Sequence, residues 1–392
     1  MRLNDTRSDG YRAGRRRHRV LVAVAISASA TMFLAACSSS NKSGSAASTT
    51  AATTASAAAS GTASAATGKT VGVALILKTL TNPFFVSMQK DAEAAAAKIG
   101  VKLTVSAGKQ DGDEPTQITA IENAVSAGDK GILITPNGPG VNPAIGKARA
   151  AGLYVIALDT PPDPASTVDI TFATDNLQAG KLIGQWTAKT LAGKSATIAM
   201  LDLFNDKIVS VDVNRDHGFL TGMGIPPGDA SKNGGEAKSG KYSGGSYSIA
   251  CHEATQGAED GGRTAMENCL SKNPGINVVY TINEPAANGA YQALKAAGKT
   301  SGVLVVSIDG GCSGVNLVKQ GVINATSQQY PGKMASLGVQ AIADLVAKGT
   351  KPSTSTGLDF FNTGVQLITA APAAGVTSIS VDQGLTSCWG SP

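Results

Sequence analysis

The chain has 392 residues, with 33 Lys and Arg against 28 Asp and Glu, a formal net charge of +5. The excess is confined to residues 1–36, which hold seven Arg and two Asp; 33 less 7 and 28 less 2 leave 26 basic and 26 acidic residues in the remainder. A body of zero net charge argues against nucleic-acid binding, whose affinity comes largely from Lys and Arg neutralising phosphates. A hydrophobic content of 42% excludes wholesale disorder. Only three His occur, His18, His217 and His252, so no His-based metal site is expected, and no cofactor.

Residues 1–36 read as an export signal. Arg15, Arg16, Arg17 and Arg19 form its basic region, and an apolar run follows from Val20. It ends in Leu34-Ala35-Ala36-Cys37, which resembles the bacterial lipobox, cleaved before a Cys that then carries lipid. Arg16-Arg17-His18-Arg19-Val20-Leu21 matches the twin-arginine export pattern only in part. Residues 38–68 are almost all Ser, Ala, Thr and Gly. They cannot bury enough surface to offset ordering entropy, so 37–68 reads as a flexible tether. Beyond Cys37 stand Cys251, Cys269, Cys312 and Cys388. Four cysteines in an exported body suggest two disulfides, with three pairings open, and the absence of a C-x-x-C leaves redox and zinc motifs unsupported.

The body, residues 69–392, has the length of about two domains. The apolar run 71–77 reads as a strand covered on both faces. Asn82 as N-cap and Pro83 at the first helical position start a helix that Gly100 stops. Val101, Leu103 and Val105 alternate as a strand; Ile118, Ile121 and Val125 line a helix ending near Gly128. Strand 131–134, helix 143–151 and strand 153–158, ending in Asp159, follow. The pattern restarts with strand 168–173, helix 176–191, strand 196–203 and helix 208–223. A Gly/Ser/Lys-rich surface loop is expected at 226–246. Strand 247–251, helix 258–272, strand 276–281, helix 285–297 and strand 303–308, ending in Asp309, come next. Such alternation means two α/β halves with parallel sheets, and a cleft between them. Ligands of open α/β sheets bind beyond the carboxyl ends of the strands, and both halves place an acid there, Asp159 and Asp309.

Several chemistries are missing. There is no G-x-S-x-G elbow, no G-x-x-x-x-G-K-[ST] and no G-x-G-x-x-G after a strand. With so few His, catalysis would rest on carboxylates. The main enzyme reading is a glycosidase using Asp159 and Asp309.

Seven short segments occur in order: Thr79-Leu80-Thr81-Asn82-Pro83-Phe84-Phe85, Ala157-Leu158-Asp159, Thr174-Asp175-Asn176, Arg215-Asp216-His217-Gly218-Phe219, Asn283-Glu284-Pro285, Ser307-Ile308-Asp309-Gly310-Gly311 and Gln329-Tyr330-Pro331. Together they resemble the ribose/galactose-type sugar-binding proteins of bacterial ABC importers, the type I periplasmic binding fold, over residues 70–390. Asp206-Lys207-Ile208-Val209-Ser210, the stretch 262–269 and Cys388-Trp389-Gly390 look most like the fructose-binding branch.

The resemblance implies an α/β protein of two doubly wound parallel-sheet lobes joined by a three-segment hinge. The chain would cross near Thr174, Gln329–Tyr330 and residue 364. The N-terminal lobe would be 69–173 and 330–364, and the C-terminal lobe 174–329 and 365–392. All four body cysteines then share one lobe, which favours Cys251–Cys269 and Cys312–Cys388. The implied ligand residues are Asn82, Phe84, Phe85, Asp159, Arg215, Asn283, Asp309 and Gln329. Adjacent helix residues lie about 100° apart, so one of Phe84 and Phe85 should pack inward while the other faces the cleft. Carboxylates accept from sugar hydroxyls, Arg215 supplies a planar fork of donors, and the amides complete the set. Trp186 and Phe204 could wall the cleft, although Trp186, at helical spacing from Leu182 and Ile183, reads more readily as core. The sequence departs from the ribose-type pattern at Thr160 in place of Arg, at Thr135 in place of Asn with Asn137 as a substitute, and in lacking an aromatic near Gly257. That fits a ketohexose or polyol better than ribose.

The reading is therefore a monomeric, extracytoplasmic solute-binding protein, lipid-anchored to the cell membrane through Cys37, with no catalysis. It would take a fructose-like hexose, a pentose or a polyol and deliver it to an ABC permease. Its alternatives are the exported glycosidase and a sensory protein that presents a sugar-like signal to a receptor.

Overall fold

The computed structural model describes residues 71–391; the export signal, the lipobox with Cys37 and the tether of 37–68 lie outside the described residues. The first apolar run forms β1 (Gly72–Leu77), buried along all but its first residue. α1 (Pro83–Ile99) starts where the Asn82 side chain accepts the Phe84 N–H and stops at Gly100, whose φ of +72° suits glycine. β2 (Lys102–Ala107), α2 (Glu114–Ala127), β3 (Gly131–Ile134), α3 (Asn142–Ala150), β4 (Tyr154–Leu158) and β5 (Ile170–Ala173) continue the alternation. The second series is α4 (Asn176–Leu191), β6 (Ala196–Asp202), α5 (Ser210–Met223), β7 (Ser239–Tyr242), β8 (Gly245–Ala254), α6 (Glu259–Lys272), β9 (Val278–Thr281), α7 (Glu284–Ala296), β10 (Leu304–Asp309), α8 (Cys312–Lys319) and β11 (Ala325–Gln328). The chain ends with α9 (Pro331–Lys348), β12 (Phe361–Asn362), β13 (Gln366–Thr369) and α10 (Val381–Ser387).

These strands make two sheets, ordered β12-β5-β4-β3-β1-β2 and β13-β11-β10-β9-β6-β8-β7. In each, the order reverses beside the leading strand, β1 or β6, the switch point where carboxyl ends open a crevice. Apolar side chains cover both faces of both sheets. Leu75, Met88, Met334 and Val339 pack on one face of the first sheet, and Ile76, Ile121 and Ile145 on the other. Trp186, Phe219 and Tyr280 cover one face of the second sheet, and Val279, Met266 and Leu294 the other. The fold is thus two doubly wound α/β lobes. The chain passes between the sheets three times: from β5 to α4, from β11 to α9, and from β12 to β13.

One expectation fails. The segment 226–246 is not wholly a loop, because β7 pairs antiparallel with β8 through a tight turn at Ser243–Gly244, and β8 begins two residues before and ends three residues after the expected 247–251, spanning Gly245–Ala254. Buried Tyr242 and Tyr247 anchor this hairpin, and their hydroxyls donate to the carbonyls of Lys194 and Ala237. β13 also pairs antiparallel with β11, so the second sheet is mixed at both edges.

Disulfides join Cys251 to Cys269 and Cys312 to Cys388. The first ties β8 to α6; the second ties the start of α8 to the C-terminal segment. No helix among the described residues is long and apolar enough to cross a membrane.

Candidate functional site

The carboxyl ends of the two sheets meet around a small, closely lined cavity. Lys78 follows β1, Asp111 follows β2, Asp159 follows β4, Leu203 follows β6, Asn283 follows β9, Asp309 ends β10 and Gln329 follows β11. Asn82, Phe84 and Phe85 come from the start of α1, and Arg215 from α5. All eight implied ligand residues therefore line one cavity.

Strand ends supply most of the polar groups, and two carry backbone conformations that L-residues rarely adopt. Asp159 has φ +65° and Asp309 φ +147°. Such backbone is held only where surrounding structure over-determines it, and it clusters at ligand clamps. Asp309 is held from behind by Glu284, whose carboxyl oxygens accept the N–H groups of Gly310 (2.8 Å) and Gly311 (3.1 Å) and the Thr326 hydroxyl (2.8 Å).

The hydrogen-bond inventory separates structural from available groups. Asp159 Oδ2 accepts the Thr160 hydroxyl at 2.8 Å and lies 3.8 Å from Lys78 Nζ, while its Oδ1 has no partner. Asp309 Oδ1 accepts from Gln329 Nε2 at 2.8 Å and lies 3.6 Å from Arg215 Nη1. Gln329 Oε1 and Asp111 Oδ1 are buried without a partner. Arg215 is fixed by Nε to Asn176 Oδ1 and by Nη1 to the Ile282 carbonyl, both at 2.8 Å. Buried acceptors without partners cost about 1–3 kcal/mol each. Three around one cavity call for hydrogen-bond donors from a ligand. Burial pushes Asp111 up to about 6, opposed by Lys78. Burial also pushes Asp309 up to about 6, opposed by Arg215 and the Gln329 amide.

Several expectations need correction. Phe84 and Phe85 do not divide between core and cleft. Both are buried in the first lobe's core and both line the cavity, edge to face with centroids 5.2 Å apart, and Phe84 stands edge to face with Trp389 at 5.3 Å. The cavity abuts the core, so one ring serves both. Asn137 does not replace a missing cleft amide: its side chain bonds the backbones of Gly112, Lys78 and Asp113. Trp186 is a core residue, as its helical spacing from Leu182 and Ile183 indicated, and its indole N–H donates to the Ala371 carbonyl. Phe204 lies outside the cavity, beneath Lys207 Nζ at 4.9 Å. Asn283 lines the cavity and caps α7 at once: its Oδ1 accepts the Ala286 N–H and its Nδ2 donates to the Gly257 carbonyl at 2.9 Å, which leaves a second Nδ2 hydrogen as its donor for a ligand. Lys78 and Asp111 are cavity residues that the sequence reading missed. Their position just past β1 and β2 was the available signal.

A two-lobed α/β protein with buried polar groups converging on an interlobe cavity has the architecture of a type I solute-binding protein. A family profile described as periplasmic binding protein domain matches residues 73–351, and the chain belongs to that family. It is 30% identical to the ribose import binding protein of Salmonella typhimurium, over 76% of this chain and 92% of that one. It is 28% identical to the D-allose-binding periplasmic protein of Escherichia coli, over 70% of this chain and 85% of that one. A solute-binding protein of Actinobacillus succinogenes, solved with D-allose bound, superposes with a TM-score of 0.65 at 23% identity, over 81% of this chain and 99% of that one.

Proposed function

We propose that the protein binds one monosaccharide or polyol in the interlobe cavity and delivers it to an ABC permease, without chemistry on the ligand. The observation that carries this reading is the set of unpartnered buried acceptors, Asp111 Oδ1, Asp159 Oδ1 and Gln329 Oε1, facing the same space as two aromatic rings. Hydroxyl groups are the donors that such acceptors need, and the apolar face of a sugar ring suits Phe84 and Phe85. The ribose- and allose-binding names of its relatives support the same ligand class. A fructose-like ketohexose is the first candidate, from the likeness to the fructose-binding branch. The eight residues Asn82, Phe84, Phe85, Asp159, Arg215, Asn283, Asp309 and Gln329 are the proposed ligand set, joined by Lys78 and Asp111. We further propose export under the signal of residues 1–36, lipid attachment at Cys37 and tethering through 37–68. Each strand-end carboxylate stands beside a cation, Lys78 or Arg215, which suits acceptance of hydroxyls better than protonation of a glycosidic oxygen.

Calorimetric titration against aldoses, ketoses, polyols and amino acids tests the reading. A single sugar or polyol should bind one to one. Asp309→Ala should weaken it at least about tenfold with the fold retained, since a hydrogen bond to a charged group contributes about 1.5–3 kcal/mol. Binding of an amino acid instead, or an unchanged affinity in the variant, would overturn the ligand assignment, and turnover of a glycoside would favour the enzyme reading.

A further inference from the structure

A second group of buried polar side chains lies in the C-terminal lobe, outside the cavity lining. Asp202 closes β6, Asp212 and Asp216 sit on α5, His252 is on β8, and Glu236 comes from the segment leading into β7. Asp212 is accounted for, because its carboxylate accepts the N–H groups of Leu203 at 2.9 Å and Phe204 at 3.3 Å. Asp216 is not. Its side chain is 0% exposed and neither oxygen has a hydrogen-bond partner. His217 Nε2 stands 4.0 Å from Asp216 Oδ1, but it is bonded to the Lys232 carbonyl at 3.0 Å. Asp202 Oδ1 and Glu236 Oε2 are also buried without partners.

Ligand atoms of Asp202, Asp216 and His252 lie within 4.8 Å of one another. His252 is hydrogen-bonded through Nδ1 to Asp202 Oδ2 and through Nε2 to Glu236 Oε1, each at 2.7 Å, so an ion bound at Nδ1 would replace the proton shared with Asp202. An imidazole that donates to a carboxylate from one nitrogen and turns the other toward further carboxylates has the arrangement of a metal-binding His. We propose that Asp202, Asp216 and His252 Nδ1 bind one divalent transition-metal ion of the Zn²⁺ type, with Glu236 orienting the imidazole. One nitrogen and carboxylate oxygens suit such an ion, whereas Ca²⁺ and Mg²⁺ take oxygen ligands throughout. A surface cleft lined by Asn205, Asn233 and Gly234 reaches Asp202 and His252 and supplies an entry path. The scarcity of His in the chain does not oppose this site, since one imidazole suffices when carboxylates provide the remaining ligands. The ion would pin the segment before β7 to the sheet through Glu236. The rival arrangement is a proton on Nδ1 with Asp216 held as a neutral acid.

The test is elemental analysis of the purified protein, followed by thermal unfolding of chelator-treated protein with Zn²⁺, Mn²⁺, Ca²⁺ or Mg²⁺ added singly. The proposal expects about one transition-metal ion per chain and a rise in Tm of at least about 3 °C with Zn²⁺. That rise should vanish in Asp216→Asn and in His252→Gln while sugar titration is unchanged. If Asp216→Asn does not fold, metal stoichiometry in His252→Gln decides. No metal and no shift with any of the ions would overturn the site in favour of the proton-sharing cluster. A response to Ca²⁺ or Mg²⁺ alone would overturn the ion class, and a Zn²⁺ response undiminished in the variants would place the ion elsewhere. None of these readouts depends on which solute fills the interlobe cavity.

Discussion

Asp309 and Asp111 set the pH range over which the cavity works. Burial pushes each up to about 6, against Arg215 in one case and Lys78 in the other. An acid raised above its unfolded value near 3.8 binds more protons in the folded state. Its contribution to stability therefore falls as pH rises from about 4 to about 6 and is constant above that. Ligand binding has the opposite sign. Hydroxyl groups donate to ionised carboxylates, so a proton on Asp309 competes with the ligand. Affinity should fall as pH drops through about 6, with Kd at pH 5 roughly tenfold above Kd at pH 7.5 for each carboxylate that must ionise. Asp309→Asn should flatten that profile. Equal Kd values at both pH values in the parent protein would show that neither acid meets the ligand as a carboxylate.

At the scale of elements, the position of Arg215 depends on how closely α5 can approach α4. Gly180 and Gly184 on α4 face Gly218 and Gly222 on α5, and a Cβ on Gly184 would overlap the Phe219 carbonyl, one on Gly180 the Arg215 carbonyl, and one on Gly218 the Leu177 carbonyl. Backbone meets backbone, and no side chain can give way. Gly184→Ala should lower stability by about 1–3 kcal/mol, the usual cost of overpacking, and should weaken ligand binding by tilting Arg215 from Ile282 and Asn176. A Tm and an affinity both equal to the parent's would mean that the helices separate without cost. This contact was not legible in the sequence, because a glycine at helical spacing reads the same whether it meets a neighbour's backbone or solvent. What was legible has a local cause. The Asn82-Pro83 start and Gly100 stop of α1 are capping chemistry, and the continuous apolar runs of β1 and β10 follow from burial on two faces. The β7 hairpin was hidden because β7 has few apolar residues and the hairpin is held by two isolated tyrosines, Tyr242 and Tyr247. The strand-end acids stood out as a repeat in both halves, whereas Lys78 and Asp111 needed the same carboxyl-end rule applied to every strand, including β2 at the sheet edge.

For the whole molecule the question is what holds the lobes together around the cavity. The three crossings are cross-linked: the Thr174 hydroxyl donates to the Gly364 carbonyl at 3.5 Å, the Tyr330 hydroxyl donates to Gln366 Oε1 at 2.9 Å, and Lys333 Nζ donates to the Thr363 carbonyl at 2.9 Å. They form one ribbon about which the lobes can turn, in the manner of hinge closure. Away from the ribbon, the segment before α5 and the first residue of α5 reach across to the first lobe. Lys207 Nζ donates to the Gly112 carbonyl at 3.3 Å, and the Ser210 hydroxyl donates to the Pro161 carbonyl. Neither residue lines the cavity, so their bonds report closure separately from ligand contact. A hydrogen bond contributes about 0.5–1.5 kcal/mol net, so removing both shifts the balance between open and closed forms by about 1–3 kcal/mol. Apparent affinity falls with the population of the closed, binding-competent form. The double variant Lys207→Ala, Ser210→Ala should therefore bind its sugar about 5- to 150-fold more weakly, with the ligand-free Tm nearly unchanged. Small-angle scattering should show the ligand-free variant at a larger radius of gyration than the parent, and saturating ligand should bring the two together. If the affinity stays at the parent's value while the radius increases, closure does not limit binding, and the cavity groups alone set the affinity.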